Sequence, residues 1–134
     1  VAGPVRCADC GVVYANGRWQ RASAPEGIAS GLCPACHRIR DRLPAGQVIL
    51  DGPFVPAHRE ELLRIARNEA EHEESQHPLH RIMQIDERDE AVTIATTDIH
   101  LPQRIGEAVK RACRGELEVR YGSDEYSVRL HWRR

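Results

Sequence analysis

Residues 32–42 read LCPACHRIRDR, and the pair Cys33-x-x-Cys36 inside them decides how the first third of the chain is built. A matching pair, Cys7 and Cys10 in CADCG (residues 7–11), stands upstream, so the full pattern is C-x2-C-x22-C-x2-C. Two residues between thiolates let both sulfurs face one ion at about 2.3 Å, and four thiolates close a tetrahedron with no open position. One structural zinc ion on Cys7, Cys10, Cys33 and Cys36 is the expectation. The gap is slightly longer than the usual ~15–20 residues. The small, Pro- and Gly-bearing run Ala22–Gly31 is expected as a surface loop that absorbs the excess. His37 is the alternative to Cys36 as a ligand, and the matched pairs favour Cys36. A redox reading of Cys33 and Cys36 would need a thioredoxin-like βα junction, which the flanking residues do not offer.

Working outward, VVYANGRWQ (residues 12–20) carries Asn16-Gly17 between two strand-like runs, the signature of a tight hairpin. The second Cys pair opens a short helical pattern, Cys36 to Leu43, which LPAG stops. Cys pair, hairpin, loop and Cys pair at a helix start is the order of a treble-clef or zinc-ribbon module over residues 1–46. It holds few large apolar side chains, so the metal is expected to supply much of its folding energy.

From residue 47 the pattern changes. QVILDGPFV is strand-like, and Pro56 opens a helix with Leu62, Leu63, Ala66 and Ala70 on one side. LHRIMQID and AVTIATT are strand candidates. Asp98 is an N-cap for a helix that places Leu101, Ile105, Ala108 and Ala112 on one face, with Gly115 as its C-cap. In the last two strands Leu117, Val119 and Tyr121, then Tyr126, Val128, Leu130 and Trp132, alternate with polar residues across a turn at Gly122–Glu125. The expectation for residues 47–134 is a ferredoxin-like βαββαβ unit with one strand added, both helices lying on the apolar face. The fold class is α+β.

Charge is unevenly spread. Residues 1–46 carry six Arg against three acids, residues 47–97 five Arg against eleven, and residues 98–134 eight Lys and Arg against six. Arg18 and Arg21 flank the hairpin, and Arg38, Arg40 and Arg42 follow the second Cys pair. Arg120, Arg129 and Arg133 fall on the wet face of the last strands. Such arginines suit bidentate contact with phosphates. The alternative is a solvated surface on which Glu116 and Glu118 pair some of them off. With six aromatics in the chain, base stacking is not the expected mode.

Three histidines, His72, His77 and His80, lie near Glu73 and Glu74, but Pro78 breaks the helix between them. They are expected as a solvated acidic helix end rather than a second metal site. In TTDIH (residues 96–100) Asp98 is expected to cap and His100 to face solvent. Cys113 is expected to pack as a small buried residue. No nucleotide-binding glycine loop, nucleophile elbow or zincin motif is present, so no enzyme and no small-molecule substrate is expected. No apolar run approaches the ~20 residues of a membrane helix. No secretory signal pattern is read, and a reducing cytoplasm is the expected setting.

CADCGVVYANGRWQ, LCPACHRIRDRLPAG, HPLHRIMQI and TTDIHLPQRIGEAVKRACRGEL together closely resemble a family of small bacterial zinc-ribbon proteins. Its members are often labelled NMD-like proteins affecting ribosome stability and mRNA decay. The label reflects a more distant similarity to the zinc-bearing region of the large-subunit export adaptor. The resemblance implies that Cys7, Cys10, Cys33 and Cys36 ligate zinc and that the partner is RNA or the ribosome, with ribosomal proteins included. Family members often begin with a basic tail where this sequence has Val1–Arg6. The expectation is a non-catalytic zinc protein that associates with RNA or the ribosome. The alternative is a zinc-stabilised protein–protein adaptor.

Overall fold

The computed structural model describes residues 4–23, 26–122 and 126–134. Parts of the expected loop at 22–31 and of the turn at 122–125 lie outside those residues. The described chain forms two sheets and three helices, a mixed α/β architecture. No helix among the described residues is long and apolar enough to cross a membrane.

The first sheet has four short strands: β1 (Val5–Cys7), β2 (Val13–Ala15), β3 (Arg18–Gln20) and β4 (Ala29–Gly31). Their order is β3-β2-β1-β4, with β4 returning parallel to β1. Asn16 and Gly17 both take positive φ between β2 and β3, as a type I′ turn demands. Helix α1 (Pro34–Asp41) follows, with Cys33 as its N-cap and Arg42 in the left-handed conformation at its end. The core of this part is small. Its buried members are Cys7, Val12, Cys33, Ala35 and Cys36, edged by Trp19, Leu32 and Leu79. Three of the five are cysteines, so burial alone supplies little cohesion.

The second sheet is built from β5 (Gly46–Asp51), β6 (Ile82–Arg88), β7 (Ala91–Thr96), β8 (Glu116–Tyr121) and β9 (Val128–Arg133). Helix α2 (Val55–Gln76) joins β5 to β6, and α3 (His100–Cys113) joins β7 to β8. The strand order is β6-β7-β5-β9-β8, parallel between β5 and β9 and antiparallel elsewhere. β9 is therefore not at the edge. Its inward side chains, Val128, Leu130 and Trp132, are all buried, so β9 takes a central place beside β5. β8, exposed along most of its length, is left as the edge. Val48, Leu50, Val92, Ile94, Leu130 and Trp132 form one apolar face, and α2 and α3 pack on it through Leu62, Leu63, Ala66, Leu101, Ile105 and Val109.

Several side chains depart from the alternation. Tyr121 keeps its strand register but is 63% exposed, with its hydroxyl donating to Gln103 Oε1 at the rim of α3. Tyr126 precedes β9 and is 51% exposed. Ala112 faces outward and Cys113 inward, because α3 buries Ile105, Val109 and Cys113 in succession. Arg114, not Gly115, caps α3. Gly115 instead lies against the Trp132 ring, where a Cβ would fall 2.8 Å from Nε1. The acidic helix α2 does not face solvent throughout: Glu73 is 2% exposed.

Candidate metal centre

The four paired cysteines meet. Cys7 ends β1, and the chain turns tightly behind it, the Gly11 amide donating to Cys7 O at 3.0 Å with Gly11 at φ +85°. Cys33 caps α1, and Cys36 sits in its first turn. All four sulfurs lie within 4.8 Å of one another. Tetrahedral metal–sulfur bonds of about 2.3 Å place sulfurs roughly 3.8 Å apart. The Cys10–Cys33 separation is 3.7 Å. Backbone amides point at the sulfurs, Cys33 N–H to Cys7 Sγ and Cys36 N–H to Cys33 Sγ, each at 3.4 Å. This cluster can hold one metal ion.

The thiols are electrostatically inequivalent. Burial works against the Cys7 thiolate, but amide hydrogen bonds from Cys33, Cys10 and Asp9 outweigh it and bring its pKa down to about 6. Burial pushes Cys33 and Cys36 up, and neighbouring cysteine side chains push Cys36 further. Thiolates so crowded require a cation between them to ionise together.

One ligand-facing residue comes from outside the cysteine module. Arg81, just ahead of β6, directs Nη2 to Cys10 Sγ at 3.1 Å and Nη1 to Cys36 Sγ at 3.5 Å. Burial opposes its charge, but the hydrogen bonds to Cys10 and Cys36 hold its pKa above the usual arginine value. The side chain is braced by Pro78 O, 2.7 Å from Nε, and by Glu74, 3.5 Å away. Its backbone is braced by Thr97. The Arg81 amide donates to Thr97 Oγ1, and the Thr97 amide donates to Arg81 O. A divalent ion on four thiolates leaves two negative charges, of which the guanidinium offsets one. Arg81→Ala is expected to weaken metal binding about 10–100-fold, read by competition with a chromogenic chelator. Arg81→Lys should recover only part, because it restores charge without the fork.

No protein-family model, curated protein or solved structure matches this chain.

His37 is not drawn into the cluster; it lies 3.9 Å from Asp41 on the next turn of α1. The arginines divide into two groups. Arg40 pairs with Asp9 at 3.0 Å, Arg38 donates to Leu43 O, and Arg21 reaches Glu74 at 3.6 Å. Arg133 lies 3.9 Å from Asp51, which also takes His131 at 2.5 Å. On the outer face of β8 and β9, Glu116 stands opposite Arg133 and Glu118 opposite His131, so that face is mixed rather than a basic stripe. Arg120 and Arg129 stand opposite each other, with Arg120 bound to Glu118 at 2.6 Å. They line a cleft of about 420 Å³ together with Pro44 and Gln47. Pro44 and Gln47 also line the neighbouring hollow that holds Arg42. Arg42, Arg120 and Arg129 thus flank one continuous stretch of surface. Arg18 is exposed and has no ion pair among the described residues.

A second cluster gathers residues that the sequence reading kept apart. The break at Pro78 turns the chain back, the His80 amide donating to His77 O, and brings the His80 ring over the end of α2. His80 Nδ1 lies 2.7 Å from Glu73 Oε2 and 3.3 Å from Asp98 Oδ2. Asp98 also caps α3, accepting from the amides of His100 and Leu101. Burial works against the Glu73 charge, but His80 and Arg104 outweigh it and hold the carboxyl below its usual range. The signal for Glu73 was present in the sequence, since it continues the inward stripe of Leu62, Ala66 and the partly buried Ala70 by one more helical step. Cys113 stays apart, buried near Glu61, with burial pushing its thiol up.

Proposed function

We propose that this chain is a zinc-stapled, non-catalytic protein of the reducing cytoplasm that contacts RNA, with the ribosome as its target. The reading follows the resemblance to NMD-like zinc-ribbon proteins. It also takes the second unit as a ferredoxin-like sheet carrying one inserted strand. The observation that carries the RNA contact is the shared surface of Arg42, Arg120 and Arg129 around Pro44 and Gln47. Arg42 ends the helix that the metal module anchors, and the other two come from the second sheet. An ion at the cysteines would therefore fix one side of this basic surface against the other.

The test is co-sedimentation with ribosomes across a salt series. The protein should bind at low salt and dissociate as salt rises. Each lost phosphate contact lowers the slope of log affinity against log salt by roughly 0.7–0.9. A triple Arg42→Gln, Arg120→Gln, Arg129→Gln variant should then lose about 2–3 units of slope. Neutralising Arg38 and Arg40, which line neither hollow, should do less. Absence of co-sedimentation at every salt concentration would sink the proposal.

One observation favours a protein–protein adaptor instead. Opposed acidic and basic pairs on the outer face of β8 and β9 suit a partner with the complementary alternation. That reading predicts partners that survive nuclease treatment of a pull-down.

A further inference from the structure

We propose that Glu73, His80 and Asp98 form a second metal site, taking a divalent first-row transition ion on nitrogen and oxygen donors. The donor set, one imidazole and two carboxylates, suits zinc, cobalt, nickel, iron or manganese. The three donor atoms lie within 4.8 Å of one another. Bonds of about 2.0–2.2 Å put neighbouring donors roughly 3.0–3.5 Å apart. The 2.7 Å and 3.3 Å separations from His80 Nδ1 need only a small expansion to admit an ion.

Burial makes the cluster more than a surface ion pair. Glu73 is 2% exposed and Asp98 is 3% exposed. Two carboxylates in such a setting are costly without a compensating cation. Arg104 supplies one permanent positive charge against the two. Arg104 Nε lies 2.9 Å from Glu73 Oε1 without the alignment of a hydrogen bond. Asp98 Oδ2 receives two helix amides, while Asp98 Oδ1 is buried with no hydrogen-bond partner. That oxygen is a buried acceptor without a partner, on a carboxylate whose other oxygen lies 3.3 Å from His80 Nδ1.

The site is also open on one side. Glu73 and His80 line a cleft of about 630 Å³ shared with His77, His100 and Arg104. The His77 ring stacks on His80 at 4.7 Å, and the His100 ring lies 5.5 Å from it. Three protein donors with remaining positions turned to a cleft leave room for water or an exogenous ligand, unlike the closed cysteine cluster. The donors come from the end of α2, the turn after it and the start of α3. Thr97 ties the last two together by donating to Leu79 O at 2.6 Å. The site uses no thiol, so it stands or falls independently of the cysteines.

The experiment is a cobalt(II) titration of the full chain as purified, followed by absorption and by equilibrium dialysis. Cobalt bound by imidazole and carboxylates shows weak ligand-field bands without sulfur charge transfer. Cobalt entering the cysteine site shows intense sulfur-to-metal bands. The expected result is a cobalt equivalent with the weak signature, beyond whatever metal the cysteines hold. His80→Ala should abolish it. Glu73→Gln and Asp98→Asn should weaken it at least ~10-fold, and Asn at position 98 still caps α3. The proposal is overturned if wild type binds no cobalt with that signature. It is equally overturned if such cobalt survives all three substitutions in folded protein.

Discussion

Cys33→Ser should strip the metal from the cysteine cluster and unfold the first sheet. Cys33 is fully buried, caps α1, accepts the Cys36 amide and lies 3.7 Å from the Cys10 sulfur. A structural zinc ion contributes about 10–16 kcal/mol of apparent binding free energy at neutral pH. The module has little else to hold it, since among the described residues Val12 and Ala35 are the only non-cysteine members of its buried cluster. Its tryptophan, Trp19, packs at the edge of that cluster, while Trp132 lies in the other core. Fluorescence of a Trp132→Phe background therefore reports the first module alone. The expected result is loss of the cysteine-bound ion, seen in the cobalt-loaded protein as loss of the sulfur-to-metal bands, with a red-shifted, quencher-accessible Trp19. Retained sulfur-to-metal bands and an unchanged Trp19 signal would refute the structural role assigned to the cluster.

Trp132→Ala should be the most damaging change in the second core. Trp132 is fully buried, its ring meets Phe54 edge-on at 5.9 Å, and its Nε1 donates to Arg114 O at 2.5 Å. Deleting so large a side chain costs about 3–5 kcal/mol, and the freed Arg114 carbonyl adds to the loss. Domains are typically stable by only about 5–15 kcal/mol, so Tm should fall by roughly 10–20 °C. Trp132→Phe keeps most of the apolar contact and loses only the hydrogen bond, so its decrease should be a fraction of that. Thermal melts followed by far-ultraviolet circular dichroism provide the check. Equal losses for the two variants would show that the hydrogen bond, not the packing, dominates.

What the sequence disclosed was local. Cysteine spacing, the Asn16-Gly17 turn and the order of strands and helices from β5 to β9 are written in neighbouring residues, and the structure has them in that order. The alternation along β8 turned Leu117 inward, but Val119 and Tyr121 are 41% and 63% exposed, because α3 covers only part of that edge strand. Nor does periodicity carry long-range pairing. Nothing in QVILD and VRLHWR announces that they run side by side in parallel. Arg81 and His80 were hidden for a related reason. Each acts on groups distant in sequence, Arg81 on cysteines 45 and 71 residues earlier, and only the turn after α2 brings them there. Pro78, read as what would scatter the histidines, is what returns His80 to Glu73.

The central place of β9 has a consequence for the order in which the chain can fold as it is made. The cysteine pairs and α1 precede the second sheet along the chain, so a metal ion can organise them while the rest is still emerging. The second sheet cannot follow the same schedule. β6, β7 and β5 can associate once residue 96 is out, but β5 then keeps an open edge. That edge waits for residues 128–133, and with it waits the seat of the largest buried side chain in the protein. Nascent chains thus pass through a stage with a finished head and an unsealed sheet, when an unpaired strand is exposed to other chains.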